Sequence, residues 1–442
     1  MTIELLGSVL PDSSTANSLG HLEIGGVDTI SLIEEYGTPL YVYDEATLRT
    51  RCREFVRDFS DVYDDVEVAY ASKALLSLWM ANIIKEEGLG LDVVSGGELA
   101  LAQEAQFPSE KVYFHGNNKT PDELREAVRY RIGYIVVDNL HELKILEDIC
   151  KAEQVTQNIL LRVTPGFDVH THAYTATGVL DSKFGAQIVT GMAQQLLLQA
   201  LGSQFVNVKG LHFHLGSPIP ELEDYVKGID IVLDFAIEAV EQGLSLDVLN
   251  VGGGFAIPYV RTDTAPTVKE YASTIAKGVS EGCKKRGIGL PRLVIEPGRS
   301  IVGTAGVAFY TVGSVKEIPG IRVYCAVDGG MGDNIRPALY GSSYEAILAN
   351  KARDEATSIV TVVGKYCESG DILVRDINLP PVSAGDVLAI PVSGAYCLSM
   401  SSNYNMALQP AVVVIDSEGS RLVRRRQTFQ DLIAAEKAAL IR

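Results

Sequence analysis

Val66-Glu67-Val68-Ala69-Tyr70-Ala71-Ser72-Lys73 is a mostly apolar run that ends in a hydroxyl and an amine. Its β-branched and aromatic content predicts a strand over Val66–Tyr70, with the polar pair where that strand stops. The pattern recurs along the chain. Further strands are predicted at Leu91–Val94, Val112–His115, Tyr134–Val137, Ile159–Val163, Gly210–His214, Val248–Val251 and Leu293–Glu296. Amphipathic stretches such as Pro121–Tyr130, Leu140–Ala152 and Glu221–Glu241 lie between them. Strand–helix alternation implies a parallel sheet. Eight such units in about 240 residues match a (β/α)8 barrel of the TIM type. Periodicity alone leaves an open doubly wound sheet as the alternative.

After Ser300 the pattern changes. Val307–Val315, Arg322–Val327, Ser358–Val363, Ile372–Arg375, Asp386–Ile390, Ala411–Ile415 and Arg421–Arg425 read as strands separated by Gly, Pro and Asp turns. Leu22–Ile24 and Leu40–Tyr43 are short strand candidates near the start. The expected architecture is therefore an α/β barrel over 46–303 and a second, mainly β domain over 304–442. A segment over 1–45 is expected to pack with the β domain.

Composition narrows the function. The 442 residues carry 38 Lys and Arg against 56 Asp and Glu, a net charge of −18. That disfavours nucleic acid and anionic membranes as partners, which need basic surface. No apolar run is long enough to span a bilayer, and Met1–Ser14 lacks the features of a signal peptide. Cys52, Cys150, Cys283, Cys325, Cys367 and Cys397 show no CxxC spacing. They read as reduced thiols of a cytoplasmic protein, with neither a disulfide framework nor a zinc site, and no metal is expected.

Polar and glycine-rich clusters follow six of the strands. They are Tyr70-Ala71-Ser72-Lys73-Ala74, Asp92-Val93-Val94-Ser95-Gly96-Gly97-Glu98 and His115-Gly116-Asn117-Asn118-Lys119. The others are His212-Phe213-His214-Leu215-Gly216-Ser217, Asn250-Val251-Gly252-Gly253-Gly254-Phe255 and Glu296-Pro297-Gly298-Arg299. In a barrel these converge on the face where the strands end. Each has a plainer reading alone. Lys73 would be a solvated rim residue, the three glycines a loop, and Glu296 a salt-bridge partner. His212 is read as a satisfied core histidine that faces away from His214. Six clusters at equivalent positions favour a site. The glycine run in particular lets backbone N–H groups approach a phosphate.

Together the six clusters resemble the barrel decarboxylases of the alanine-racemase-like fold that use pyridoxal 5'-phosphate (PLP). The C-terminal half narrows the resemblance. Asp328-Gly329-Gly330-Met331, Arg336-Pro337-Ala338-Leu339-Tyr340, Cys367-Glu368-Ser369-Gly370-Asp371 and Gly394-Ala395-Tyr396 are similar to the diaminopimelate decarboxylase family, as is Ser401-Ser402-Asn403-Tyr404-Asn405. His170-Thr171-His172 and Asp181-Ser182-Lys183-Phe184-Gly185 also fit. The likeness runs from about residue 28 to 430. One departure stands out: Lys365 occupies a position where the family pattern has proline.

The resemblance implies roles. Lys73 would carry the cofactor covalently, and His214 would stack on its face. Glu296 would meet its ring nitrogen. A carboxylate there keeps that nitrogen protonated, which suits decarboxylation better than the arginine of the related racemases. Ser217, Gly252, Gly253, Gly254, Gly298 and Arg299 would hold the phosphate, with Tyr396 closing that side. The substrate would be meso-2,6-diaminopimelate, a small amino acid, and the products L-lysine and CO2. Arg299, Arg336, Tyr340 and Tyr396 would bind substrate, with the arginines suited to its distal carboxylate. Glu368 would take the distal ammonium, and Cys367 would return a proton. The family implies a homodimer with active sites shared between subunits. An ornithine- or lysine-type decarboxylase would not need both Arg336 and Tyr340. A racemase is disfavoured by Glu296, and a non-catalytic PLP protein by the second domain with its Cys367-Glu368 pair. A phosphate-binding barrel without PLP would lack the cofactor's absorbance.

Overall fold

The computed structural model describes residues 7–167, 178 and 180–440. His170-Thr171-His172 lie outside the described residues. The chain divides into two compact units. One comprises Arg51–Ala256 and Ala265–Ser300. The other comprises Met1–Thr50, Ile257–Thr264 and Ile301–Arg442.

The first unit is the barrel. Its strands are β1 (Val66–Ala71), β2 (Gly90–Val93), β3 (Val112–Phe114), β4 (Tyr134–Val137), β5 (Gln157–Thr164), β6 (Val206–His212), β7 (Val248–Asn250) and β8 (Arg292–Ile295). Each pairs in parallel with the next. The ring closes where Leu293 of β8 pairs with Val66 of β1. Closure excludes the open sheet. Ala69, Tyr113, Val136, Leu160, Val248 and Val294 fill part of the interior, so the barrel is a packed core and not a pore.

Side-chain caps fix where the helices begin. Ser77, Ser95 and Asn139 accept N–H groups of Met80, Glu98 and Glu142 at the first turns of helices Leu78–Glu86, Gly96–Glu104 and Leu140–Glu153. Thr120 and Thr267 form full capping boxes with Glu123 and Glu270. Each cap satisfies an orphan donor and is worth about 1 kcal/mol. Ser77, Ser95, Thr120 and Asn139 lie within a few residues of the strand ends, which keeps those loops short and holds their polar residues over the barrel's C-terminal face, whereas a longer connection precedes Thr267.

The second unit is a mainly β structure. After residue 300 it contains β9 (Gly306–Ile318), β10 (Arg322–Val327), β11 (Ser358–Val363), β12 (Ile372–Leu379), β13 (Val387–Ile390), β14 (Ala411–Asp416) and β15 (Gly419–Arg424). The strand Leu40–Asp44 lies between β9, to which it is antiparallel, and β14, to which it is parallel. All five of its residues are buried. Val9, Leu22, Ile24, Leu40, Val42, Val307, Phe309 and Val413 belong to one core cluster. Ile257 and Tyr259 pack against that cluster, although their segment lies between β7 and β8 in sequence. No described helix is long and apolar enough to cross a membrane.

Candidate active site

Glu296 follows β8 and is 6 % exposed. Asn250, the last residue of β7, donates from Nδ2 to its Oε1 at 2.6 Å. His115, just after β3, brings Nε2 within 3.0 Å of the same oxygen. His212, the last residue of β6, brings Nε2 within 3.4 Å of Oε2. Burial alone would raise the Glu296 pKa, but His115 and His212 outweigh it and hold the carboxyl well below its ordinary range. Burial pushes His212 down to about 3, so it faces the carboxylate as a neutral ring at pH 7. His212 is buried, as expected of a core histidine, and its Nε2 faces the Glu296 carboxylate. The expectation that it turns away from His214 is corrected, since strand side chains two residues apart share a face.

The same asparagine builds the glycine loop. Its Oδ1 accepts the Gly252 N–H at 2.9 Å. Gly252 and Gly254 have φ of +72° and +115°, conformations that side chains resist. A Cβ on Gly253 would lie 2.2 Å from the Glu296 carbonyl oxygen, and one on Gly254 2.6 Å from that of Gly216. Only glycine fits this run, which leaves its backbone open to close approach. His214 accepts the Gly253 N–H on Nδ1 at 3.3 Å. Burial, then Lys73, hold its pKa well below the usual histidine value. Arg299 is buried and donates from Nη2 to Ser217 Oγ at 3.3 Å. A Cβ on Gly298 would touch the Ala71 Cβ at 3.0 Å, so this turn packs against the end of β1. Lys73 sits in the single turn Ser72–Ala74 after β1 and is exposed.

Asp92, His115 and Arg162, like Asn250, are polar residues to which the sequence alone assigned no role. Asp92 at β2 is buried, and burial raises its pKa. His115 Nε2 lies 3.7 Å from it, which links Asp92 to Glu296 through one ring. Arg162 in β5 is buried, with its guanidinium 4.4 Å from the centre of the Phe184 ring. Burial works against its charge, while Asp138, Glu296 and Asp92 support it. The available signal was a charged residue within an apolar strand, as in Leu161-Arg162-Val163. His115, His212 and Glu296 each offer an atom within 4.8 Å of the others, a spacing open to a metal ion. The Asn250 amide already donates to one of those carboxylate oxygens.

In the second unit, Arg336 opens the short helix Arg336–Tyr340 and is 6 % exposed. Its Nε donates to Tyr344 Oη at 2.9 Å and its Nη2 to Ser342 Oγ at 3.2 Å. Tyr259, Tyr340 and Tyr396 place ring centres 4.9, 5.7 and 5.8 Å from its Cζ. Among the described residues no carboxylate lies within ion-pair distance of it. Burial works against its charge, but the oxygens of Tyr259 and Tyr344 and the Cys397 thiol keep its pKa above the ordinary arginine value. Tyr396 has φ of +60°, a strained backbone for a residue with a Cβ.

Cys367 and Glu368 are both exposed on the loop between β11 and β12. Asp371 organises that loop. Its Oδ2 accepts the Tyr366 N–H at 2.9 Å, and its Oδ1 accepts the Met331 N–H at 2.7 Å. Asn405 Oδ1 accepts the Cys367 N–H at 2.9 Å. The Lys365 N–H donates to the Gly329 carbonyl at 3.0 Å. Proline has no N–H and could not make this bond, so lysine at 365 exchanges ring stiffness for a tether.

Residues 46–303 match the family model described as pyridoxal-dependent decarboxylase, pyridoxal binding domain. That defines the class. Diaminopimelate decarboxylases of Bacillus subtilis and Bacillus methanolicus are 47% and 48% identical, over 96% and 94% of this chain and 97% and 96% of theirs. The crystal structure of diaminopimelate decarboxylase from M. jannaschii in co-complex with L-lysine has a TM-score of 0.91 and 35% identity, covering 96% of this chain and 98% of that one. The chain belongs to the diaminopimelate decarboxylase family. PLP, the cofactor of the class, fits the barrel residues. The glycine run has no space for side chains, so its backbone is open to close approach by a phosphate. The Glu296 carboxyl is held in its charged form, as a protonated ring nitrogen requires.

Proposed function

We propose that this chain decarboxylates meso-2,6-diaminopimelate to L-lysine and CO2, as a cytoplasmic homodimer whose active sites are shared between subunits. The observation that carries the substrate assignment is Arg336, a buried guanidinium whose hydrogen-bond partners are both neutral. A buried cation without a counter-charge is costly unless a ligand supplies one. The carboxylate that is not lost in the reaction would do so.

When bound, PLP supplies the sink for the electron pair left on the α-carbon as CO2 departs. Lys73 is the residue for its covalent attachment, through Nζ. Glu296 keeps its charge and holds a proton at the ring nitrogen, supported by Asn250, His115 and His212. His214 would stack on the face of the cofactor. Gly252–Gly254, Ser217, Gly298 and Arg299 would hold its phosphate, with Tyr396 as a further contact. Arg336 and Tyr340 bind the distal carboxylate, with Arg299 as a further cation for it, while Glu368 takes the distal ammonium. Cys367 delivers a proton to the carbon that lost CO2, so one C–C bond is exchanged for one C–H bond. Cys367 and Glu368 act in the site of the partner subunit. All six cysteines are free thiols, in keeping with a reducing compartment.

The test is product analysis after separate incubation with meso-diaminopimelate, L-ornithine, L-arginine and L-lysine. L-Lysine and CO2 formed from the first alone is the expected result. The decarboxylated amine of any of the others overturns the substrate assignment.

A further inference from the structure

The segment from Ile257 to Thr264 follows the glycine run closely in sequence but belongs to the mainly β unit. Its conformation is tightly specified. Asp263 Oδ2 accepts the N–H groups of Tyr259 and Val260 at 2.9 and 3.1 Å. The Asp263 N–H returns to the Val260 carbonyl at 2.9 Å. Glu345, itself 6 % exposed, accepts the Arg261 N–H on Oε1 at 3.1 Å. These bonds fix the backbone at Tyr259 and its neighbours. The Tyr259 ring lies 4.9 Å from Arg336 Cζ, the shortest of the three aromatic approaches to that cation. It also meets the Tyr344 ring at 5.4 Å and 87°, edge to face. Tyr344 in turn accepts the Arg336 Nε–H.

Arg336 is thus fixed from two directions, by the Tyr344 hydroxyl in the guanidinium plane and by the Tyr259 ring beside it. Neither of its side-chain hydrogen bonds uses Nη1. A guanidinium that binds a carboxylate with two N–H groups must hold its plane, and aromatic rings hold it without neutralising its charge.

We propose that Tyr259 is a positioning residue that sets specificity for substrates with a second carboxylate, by holding the Arg336 guanidinium in its binding orientation. This rests on the reading that Arg336 binds the carboxylate that survives the reaction. L-Lysine keeps that group and cadaverine, the diamine without it, does not, so the pair isolates the contact. Affinities of both for the PLP-loaded enzyme are measured by titration calorimetry, and turnover of meso-diaminopimelate is measured separately.

Tyr259→Leu should weaken L-lysine binding and raise KM about tenfold, the scale of one desolvated cation–π contact. It should leave kcat and cadaverine affinity within about twofold, and Tyr259→Phe should restore the lysine affinity. Tyr259→Gln replaces the leucine variant if that protein does not fold. Equal weakening of lysine and cadaverine would mean a merely structural residue and overturns the proposal. So does unchanged lysine affinity in a folded variant. Wild-type protein that does not turn over meso-diaminopimelate would refute the proposed function instead, while the lysine–cadaverine comparison still decides the role of Tyr259.

Discussion

Glu296→Gln isolates charge from shape. The substitution keeps the side-chain length and leaves one oxygen to accept from Asn250 Nδ2, now 2.6 Å from Oε1. The other carboxylate oxygen becomes an NH2 group facing His212, whose Nε2 lies 3.4 Å away. That ring can accept only by moving its proton to Nδ1, a buried atom without a hydrogen-bond partner. The fold should therefore survive with a small local cost. What is lost is the negative charge that holds a proton on the cofactor's ring nitrogen. A charge-assisted contact in a buried site is worth up to about 3 kcal/mol, or about a hundredfold in rate. The assay has two parts. Absorbance of the purified variant reports bound PLP, and CO2 release from meso-diaminopimelate reports kcat. The expected result is full cofactor content with kcat down about a hundredfold. A loss below about fivefold with cofactor bound would refute the assigned role of Glu296. Loss of the cofactor itself would show that the carboxylate acts in binding and not in rate.

Three further outcomes are expected. Arg336→Ala should raise KM for meso-diaminopimelate by roughly thirtyfold or more, the scale of a charge-assisted pair, with the PLP spectrum unchanged; parallel loss of cofactor would place Arg336 elsewhere. Lys73→Ala and Cys367→Ala proteins should each be nearly inactive, yet mixing them with proven subunit exchange should recover about a quarter of wild-type activity if sites are shared; no recovery would put Cys367 in cis. Burial pushes Asp333 up to about 7, so the native state holds a proton there that the unfolded chain, with a value near 4, releases earlier. Its contribution to stability is full below about pH 4, falls as pH rises, and is gone above about 7. Urea unfolding should therefore show wild type losing roughly 2–3 kcal/mol relative to Asp333→Asn between pH 5 and pH 8. A pH-independent difference would contradict the buried acid.

The barrel was legible because all eight strands show an apolar β-branched run and six of them are followed by a polar or glycine-rich cluster. Val112–His115 illustrates this: the run gives β3, and the histidine that ends it reaches Glu296. Residues inside the strands were harder. Arg162 is a single polar side chain in an apolar run, and a satisfied core residue leaves the same trace in sequence. Adjacent strands bring Asn250 and His212 to Glu296, whereas only the closed ring brings His115, which follows β3, to it. The grouping of Ile257–Thr264 with the β unit had no local signature either. Its turn residues look like any loop between a strand and a helix, and the contact with Arg336 spans distant parts of the chain.

The strand Leu40–Asp44 sets an order for synthesis. It is made before every barrel strand, yet one of its edges waits for Gly306–Phe309 and the other for Ala411–Ile415. The eight barrel strands are made in the meantime, and each finds its neighbour within the next one or two elements produced, except for the final β8–β1 pairing. The nascent chain therefore carries an unpaired strand with a strongly apolar face while the whole barrel is made. A chain stopped anywhere short of residue 411 leaves that strand with a bare edge, the kind of surface on which aggregation begins.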